Sequence, residues 1–301
     1  MENMEKTKWL LDTDIGNDND DCMALAYLLH QSEIDLLGIT TVTGESVRRA
    51  MLADAMCRLA GKRIPIYPGC ETPILGPLLQ SRVNPEEAAQ TARFPHAEQF
   101  PRCRALEFLR ENIEAYPHEV VLAAIGPLTN IGLLFAAYPH LPGLLKALVV
   151  MGGRFFHTAD FDTKKWGHVE WNIKGDPYAA SIVFSAPVPA LYATGVEISC
   201  RFRIPGHRAA RAVAPVPCLR PIAPVIQHWE YAWFHDPLAL WAYINREKVS
   251  WARGNIQVSL GDALGAVHFS PSATGPCRVL TAADEALFFR SYAQSLGFSW
   301  P

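Results

Sequence analysis

The chain has 301 residues, half of them hydrophobic and 19% charged, with a formal net charge of −3. That profile belongs to a globular protein with a large core. The small negative charge without any basic block argues against nucleic acid as a primary partner, and no apolar run approaches a membrane span. Seven cysteines, Cys22, Cys57, Cys70, Cys103, Cys200, Cys218 and Cys277, are scattered without a C-x-x-C pair and read as reduced thiols rather than a disulfide frame or zinc site. Residues 1–8 carry no signal-peptide core, so a cytoplasmic protein is expected.

The apolar run Trp9-Leu10-Leu11 predicts a first strand over 9–12. It leads into Asp12-Thr13-Asp14-Ile15-Gly16-Asn17-Asp18-Asn19-Asp20-Asp21, five aspartates in ten residues. Such crowding is unfavourable unless a cation, a helix N-terminus or proton sharing offsets the repulsion. Capping of the next helix, predicted over 20–30, accounts for one or two carboxylates. Five of them point to an oxygen-ligand metal site at the carboxyl end of the strand.

A second strand is predicted over 34–42, broken by Gly44 and followed by a helix over 46–60 with Val47, Ala50, Met51, Ala55 and Leu59 at helical spacing. A short strand over 64–67 comes next. Strands over 119–125 and 146–151 flank a helix over 128–138. A helix begins near Pro177, which suits a first turn, and a strand over 189–194 follows it. Strand–helix–strand repetition with nearly all-apolar strands predicts an α/β fold, a mainly parallel open sheet flanked by helices and related to the Rossmann arrangement. Ligands in such sheets bind beyond the carboxyl ends of the strands. Two stretches break the rhythm: the long proline-bearing segment 69–101, a candidate lid or binding loop, and the polar, aromatic segment 154–167. Past Cys200 the pattern predicts a mostly helical stretch over 226–245 interrupted by Pro237, strands over 254–260 and 265–269, and a closing helix over 282–296. No repeat or linker divides the chain, so a single domain over 1–301 is expected.

Four more polar clusters fall at predicted element ends: Thr43-Gly44-Glu45, Ile125-Gly126-Pro127-Leu128-Thr129-Asn130, Glu170-Trp171-Asn172 and Phe234-His235-Asp236-Pro237. Each alone has an ordinary structural explanation; together they mark one end of the sheet. With Asp12-x-Asp14-x-Gly16, Asp20-Asp21-x-x-Ala24-Leu25, Ile39-Thr40-Thr41-Val42-x-Gly44, Met151-Gly152-Gly153 and Asp176-Pro177, they run in order from Asp12 to Asp236. In this series the chain resembles the inosine–uridine nucleoside hydrolase family, which cleaves the N-glycosidic bond of nucleosides.

The resemblance implies one Ca²⁺ per subunit, held by Asp14, Asp21, the carbonyl of Ile125 and Asp236, an all-oxygen set suited to a hard cation. It implies that Asp14 doubles as general base on the metal-bound water. Asp20, Glu170 and Asn172 would bind sugar hydroxyls, with Met151 beside them, Trp171 stacking on ribose or base, and His235 near the leaving base as acid or hydrogen-bond donor. Asp12, Asp18 and Asn130 would support these residues, Asp18 without a firm role. The substrate would be a nucleoside-like small molecule in purine or pyrimidine salvage, and the subunit would pair as a homodimer or homotetramer.

The chain also departs from the family. The stretch between Gly16 and the aspartate pair is two residues longer than the shortest form. Glu45 and Lys164 stand where neutral asparagines are usual, and segment 69–101 lacks the His-Gly signature of pyrimidine-preferring members. The opposite signs of Glu45 and Lys164 (or Lys165) suggest a compensating pair near the pocket that reshapes it for another substrate. Two further readings follow. One is a relative that binds a nucleoside-like ligand without turnover. The other is a magnesium-dependent haloacid-dehalogenase-type phosphatase, which also opens on Asp-x-Asp but needs a later acidic pair, here only Gly261-Asp262. An EF-hand is excluded by the missing sixth-position glycine and twelfth-position glutamate.

Overall fold

The computed structural model describes residues 6–158 and 161–300; residues 159–160 of the polar segment 154–167 lie outside this description. The first strand, β1 (Thr7–Thr13), is third from one edge of a nine-stranded sheet. Alternate side chains leave it on opposite faces, as the pleat requires: Trp9 and Leu11 enter one apolar core and Leu10 the other. On one flank lie β2 (Ile34–Thr41) and β3 (Ile66–Pro68), on the other β4 (Val120–Ala124), β5 (Ala147–Met151) and β6 (Leu191–Thr194). All these pairings are parallel. The chain moves outward from β1 to β3, then returns to the other side of β1 with β4. That reversal opens a crevice at the carboxyl ends of β1 and β4.

A small antiparallel pair, β7 (Arg203–Pro205) with β8 (Tyr231–Trp233), stands apart from the sheet. The far edge is completed by β9 (Ser250–Val258), β10 (Val267–Pro271) and β11 (Cys277–Ala282). β11 pairs parallel with β6 and antiparallel with β9, and β10 pairs antiparallel with β9, so the sheet is mainly but not wholly parallel.

Three expectations change here. A strand not expected from the pattern, β11, with its mixed sequence Cys277-Arg278-Val279-Leu280-Thr281-Ala282, inserts between the strand predicted over 189–194 and β9. The stretch 226–245 is not a helix broken at Pro237. It contains β8, and the helix His235–Ile244 starts after it, with Pro237 in the first turn, where its missing N–H costs nothing. Segment 69–101 is not wholly irregular, since Pro85–Thr91 is a helix capped by Asn84. Among the described residues no helix is long and apolar enough to cross a membrane.

Candidate active site

Every predicted cluster ends at one mouth of the sheet. A pocket there is lined by Asp14, Asp18, Asp20, Asp21, Ile125, Met151, Trp166, Glu170, Trp171, Asn172, Val196, His235 and Asp236. A few apolar and aromatic walls with convergent polar groups are the usual make-up of a small-molecule site.

The aspartate run is held by contacts to its backbone as much as by its own side chains. Arg49, wholly buried on the helix Ser46–Leu59, donates from Nε to the carbonyl of Gly44 at 2.9 Å and from Nη1 to those of Asp14 and Ile15. It therefore clamps the turn after β1 to the turn after β2. Gly126 lies flush against Asp14, and a Cβ there would sit 2.7 Å from Asp14 Oδ1. Asp12 accepts from Thr40 Oγ1 at 2.5 Å and from Asn130 Nδ2 at 2.7 Å. Asn130 in turn donates to the Thr41 carbonyl and accepts from Cys70 N. Asp12 and Asn130 therefore stand behind the pocket and brace β1 against β2 and the segment after β3.

Asp20, Asp21 and Asp236 are all buried, and each offers an oxygen within 4.8 Å of the other two. Burial first, then repulsion from neighbouring carboxylates, Asp18 and Asp14 for Asp20, Asp14 and Asp20 for Asp21, and Asp20 and Asp21 for Asp236, pushes all three carboxyls well above the ordinary range. No lysine or arginine is among the residues lining the pocket, and Arg49 behind the turn only partly offsets Asp21. Three oxygen donors in this space fit a hard divalent cation, which removes the repulsion that protonation would otherwise have to relieve. Asp14 lines the same pocket and acts electrostatically on Asp21 and Asp236, while its Oδ2 accepts from Gln80 Nε2 at 2.9 Å. Burial raises the Asp14 carboxyl to about 6, with Arg49 acting in the opposite direction.

Glu170 caps the short helix Trp171–Gly175, accepting from the backbone N–H of Asn172, Ile173 and Gly153 at 2.9–3.1 Å. Burial holds its carboxyl near 7 despite these donors. Asn172 Nδ2 reaches the carbonyls of Ile125 at 3.0 Å and Met151 at 3.2 Å, tying the ends of β4 and β5. His235 stacks on Trp233 at 5.7 Å, meets the edge of Trp166 at 5.3 Å, and shares a 2.7 Å hydrogen bond between Nδ1 and Ser199 Oγ. Burial lowers its pKa to about 4, so the ring is neutral at physiological pH.

The compensating pair of Glu45 and Lys164 does not form, and neither residue lines the pocket. Glu45 accepts from Val83 N at 2.9 Å and pairs with Arg48 at 3.3 Å. Lys164 is exposed on the four-residue helix Thr163–Trp166, and Lys165 lies over the Trp233 ring at 4.9 Å. Trp166, from the same loop, is the residue that reaches the pocket. Sequence reasoning passed over Trp166, Val196, Ser199, Arg49 and Gln80. Only Arg49 carried a local signal, an arginine adjoining the apolar stripe of a helix. Asp18 sits exposed at the mouth of the pocket, so its carboxylate faces the entrance rather than only the following helix.

The family profile described as inosine-uridine preferring nucleoside hydrolase matches residues 9–290. The chain belongs to this family. Similar proteins include uridine nucleosidase 1 of Arabidopsis thaliana, 31% identical over 206 residues, covering 65% of this chain and 58% of that protein. The pyrimidine-specific ribonucleoside hydrolase RihB of Escherichia coli is 30% identical over 200 residues, covering 65% and 61%. The matched region thus spans less than two thirds of these relatives' lengths. Among solved structures, the plant nucleoside hydrolase PpNRh1 superposes with a TM-score of 0.81 at 22% identity, covering 96% of this chain and 98% of that one. The family fold is therefore shared across almost the whole chain. The phosphatase reading falls away with it: Asp262 is exposed on the turn between β9 and β10, which pair antiparallel, and so does not follow a parallel strand.

Proposed function

We propose that the chain hydrolyses the N-glycosidic bond of a nucleoside or related N-glycoside, releasing free base and sugar. The observation that carries this reading is the meeting, in one pocket, of buried carboxylates with a neutral histidine and two tryptophans. Asp14, Asp21, Asp236 and the Ile125 carbonyl are the residues we propose to hold Ca²⁺, joined by Asp20 on the geometry above. The ion would acidify a water and fix sugar hydroxyls when bound.

The chain's own residues supply the rest. Asp14 accepts the proton of the attacking water. Glu170, Asn172 and Asp20 orient the sugar. Carboxylate and amide oxygens around the sugar stabilise the positive charge of an oxocarbenium-like transition state more than they stabilise neutral substrate. Trp171 offers a stacking face, and His235, neutral and wedged between Trp233 and Trp166, offers a hydrogen bond to the departing base rather than a positive charge. Release of base into cytoplasmic salvage by a homodimer or homotetramer is the setting we propose.

A nucleoside panel assayed for free base, with and without chelator, tests the reading. Base release from at least one common nucleoside is expected, lost on chelation and restored by Ca²⁺. No release from any of them would sink it. A second check lies off the chemistry. Gly126→Ala pushes a methyl group to within 2.7 Å of Asp14 Oδ1. Because a misplacement of about 1 Å can cost about a hundredfold in rate, kcat should drop by that order. Unchanged kcat in the folded variant would contradict the placement of Asp14.

A further inference from the structure

We infer that Gln80, from the segment that carried no recognisable motif, is a positioning residue that ties Asp14 to Trp171. The inference rests on the reading of Asp14 as base. Gln80 Nε2 donates to Asp14 Oδ2 at 2.9 Å, and its Oε1 accepts from Trp171 Nε1 at 2.8 Å. The orientation of the carboxamide is fixed by chemistry. An indole N–H can only donate, so the amide oxygen must face Trp171 and the amide nitrogen must face the carboxylate. One oxygen of Asp14 is thereby occupied while Oδ1, against Gly126, is left for water or cation. The same carboxamide holds the half-exposed Trp171 ring upright at the rim.

The surrounding chain is built to deliver Gln80 to this point. Ahead of it, Ile74 N donates to Asp176 Oδ2 at 2.7 Å and Ser46 N donates to Glu71 Oε1 at 3.0 Å. Beyond it, Asn17 Nδ2 holds the Arg82 carbonyl at 3.0 Å, Glu45 Oε2 holds Val83 N at 2.9 Å, and Asn84 N donates to the Gly16 carbonyl at 2.7 Å. This assigns a task to two features the family pattern left unexplained. Glu45 and the residue Asn17 of the lengthened aspartate loop both anchor the strap that carries Gln80. Substrate preference then depends on the strap, because the residue at its tip sets both the base carboxylate and the aromatic wall.

The test combines kinetics with an observable that does not need turnover. Gln80→Leu removes both hydrogen bonds, and losing one to a charged partner should lower kcat about ten- to a hundredfold while KM moves by only about threefold. Trp171→Phe keeps a ring but removes the N–H, and the double variant should be no slower than Gln80→Leu alone, since the two act as one unit. In the calcium-loaded protein labelled with ¹⁵N-tryptophan, the indole resonance that Trp171→Phe deletes should shift in Gln80→Leu and stay in place in Gln80→Glu. The latter keeps the acceptor for the indole but puts a carboxylate against Asp14, and its kcat should drop. A Gln80→Leu enzyme within twofold of wild-type kcat, strictly additive effects, or an unmoved indole resonance would overturn the proposal. A wild-type protein that releases no base sinks the hydrolase reading instead, and the indole resonance still decides whether Gln80 holds Trp171.

Discussion

Replacing Asp14 with asparagine is expected to lower kcat by about 10²–10⁴-fold, the usual worth of a positioned general base. The fold should survive. An asparagine keeps the shape of the side chain, the backbone carbonyl at this position remains clamped by Arg49, and an amide oxygen can still accept from Gln80 Nε2. What is lost is the ability to take a proton, together with one negative charge. If Asp14 acts chiefly as base, kcat drops with little change in KM. If it acts chiefly on the cation, added Ca²⁺ should recover part of the rate. Turnover close to wild type, in protein whose thermal melt is unchanged, would contradict both assignments.

Asp236→Asn is the second large effect, and it runs in opposite directions with and without cation. Asp20, Asp21 and Asp236 repel one another in a buried space, so removing one charge from the calcium-free protein should leave its melting temperature equal or higher. The stabilisation by Ca²⁺ should be much reduced. A ligand at about a hundred times its Kd contributes about 2.7 kcal/mol, or roughly 5 °C in a chain of this size. That increment should appear in the wild type and largely vanish in the variant. An equal calcium shift in both would remove Asp236 from the site.

The pH dependence follows from the same carboxyls. In the calcium-free protein Asp14 and Glu170 keep their protons up to about 6 and about 7, whereas in the unfolded chain they lose them at about pH 4. The folded state then binds more protons between those limits, so stability falls as pH rises through that window. Calcium needs the deprotonated ligands, and its stabilising effect should accordingly grow toward the upper end. Thermal melts across this range with and without Ca²⁺ measure both slopes.

Residues whose role depends on their own strand end were legible in the sequence. Asp14, Asp21, Ile125, Glu170, Asn172 and Asp236 each follow an apolar run or open a helix, and the parallel topology sends all such ends to one mouth. Asp12 and Asn130 are hydrogen-bonded to each other and to Thr40, Thr41 and Cys70, contacts that no local pattern announces. The misplaced pair at the site has one source. Glu45 and Lys164 were paired because both replace an amide in a one-dimensional pattern, but a pattern does not say where a side chain points. Glu45 turns toward the strap, and Lys164 faces solvent.

The sequence by itself determined the parallel part of the sheet, the family and a set of candidate carboxylates, because those rest on strand periodicity and on oxygen donors at short spacing from strand ends. Tertiary structure alone decided which carboxylates stand together, that Arg49 clamps the turn, and that Gln80 reaches Asp14 from 66 positions along the chain. No local preference encodes these contacts. They exist because the segment after β3 folds back over the crevice and is fastened on both sides of Gln80, and that closure is a property of the whole sheet.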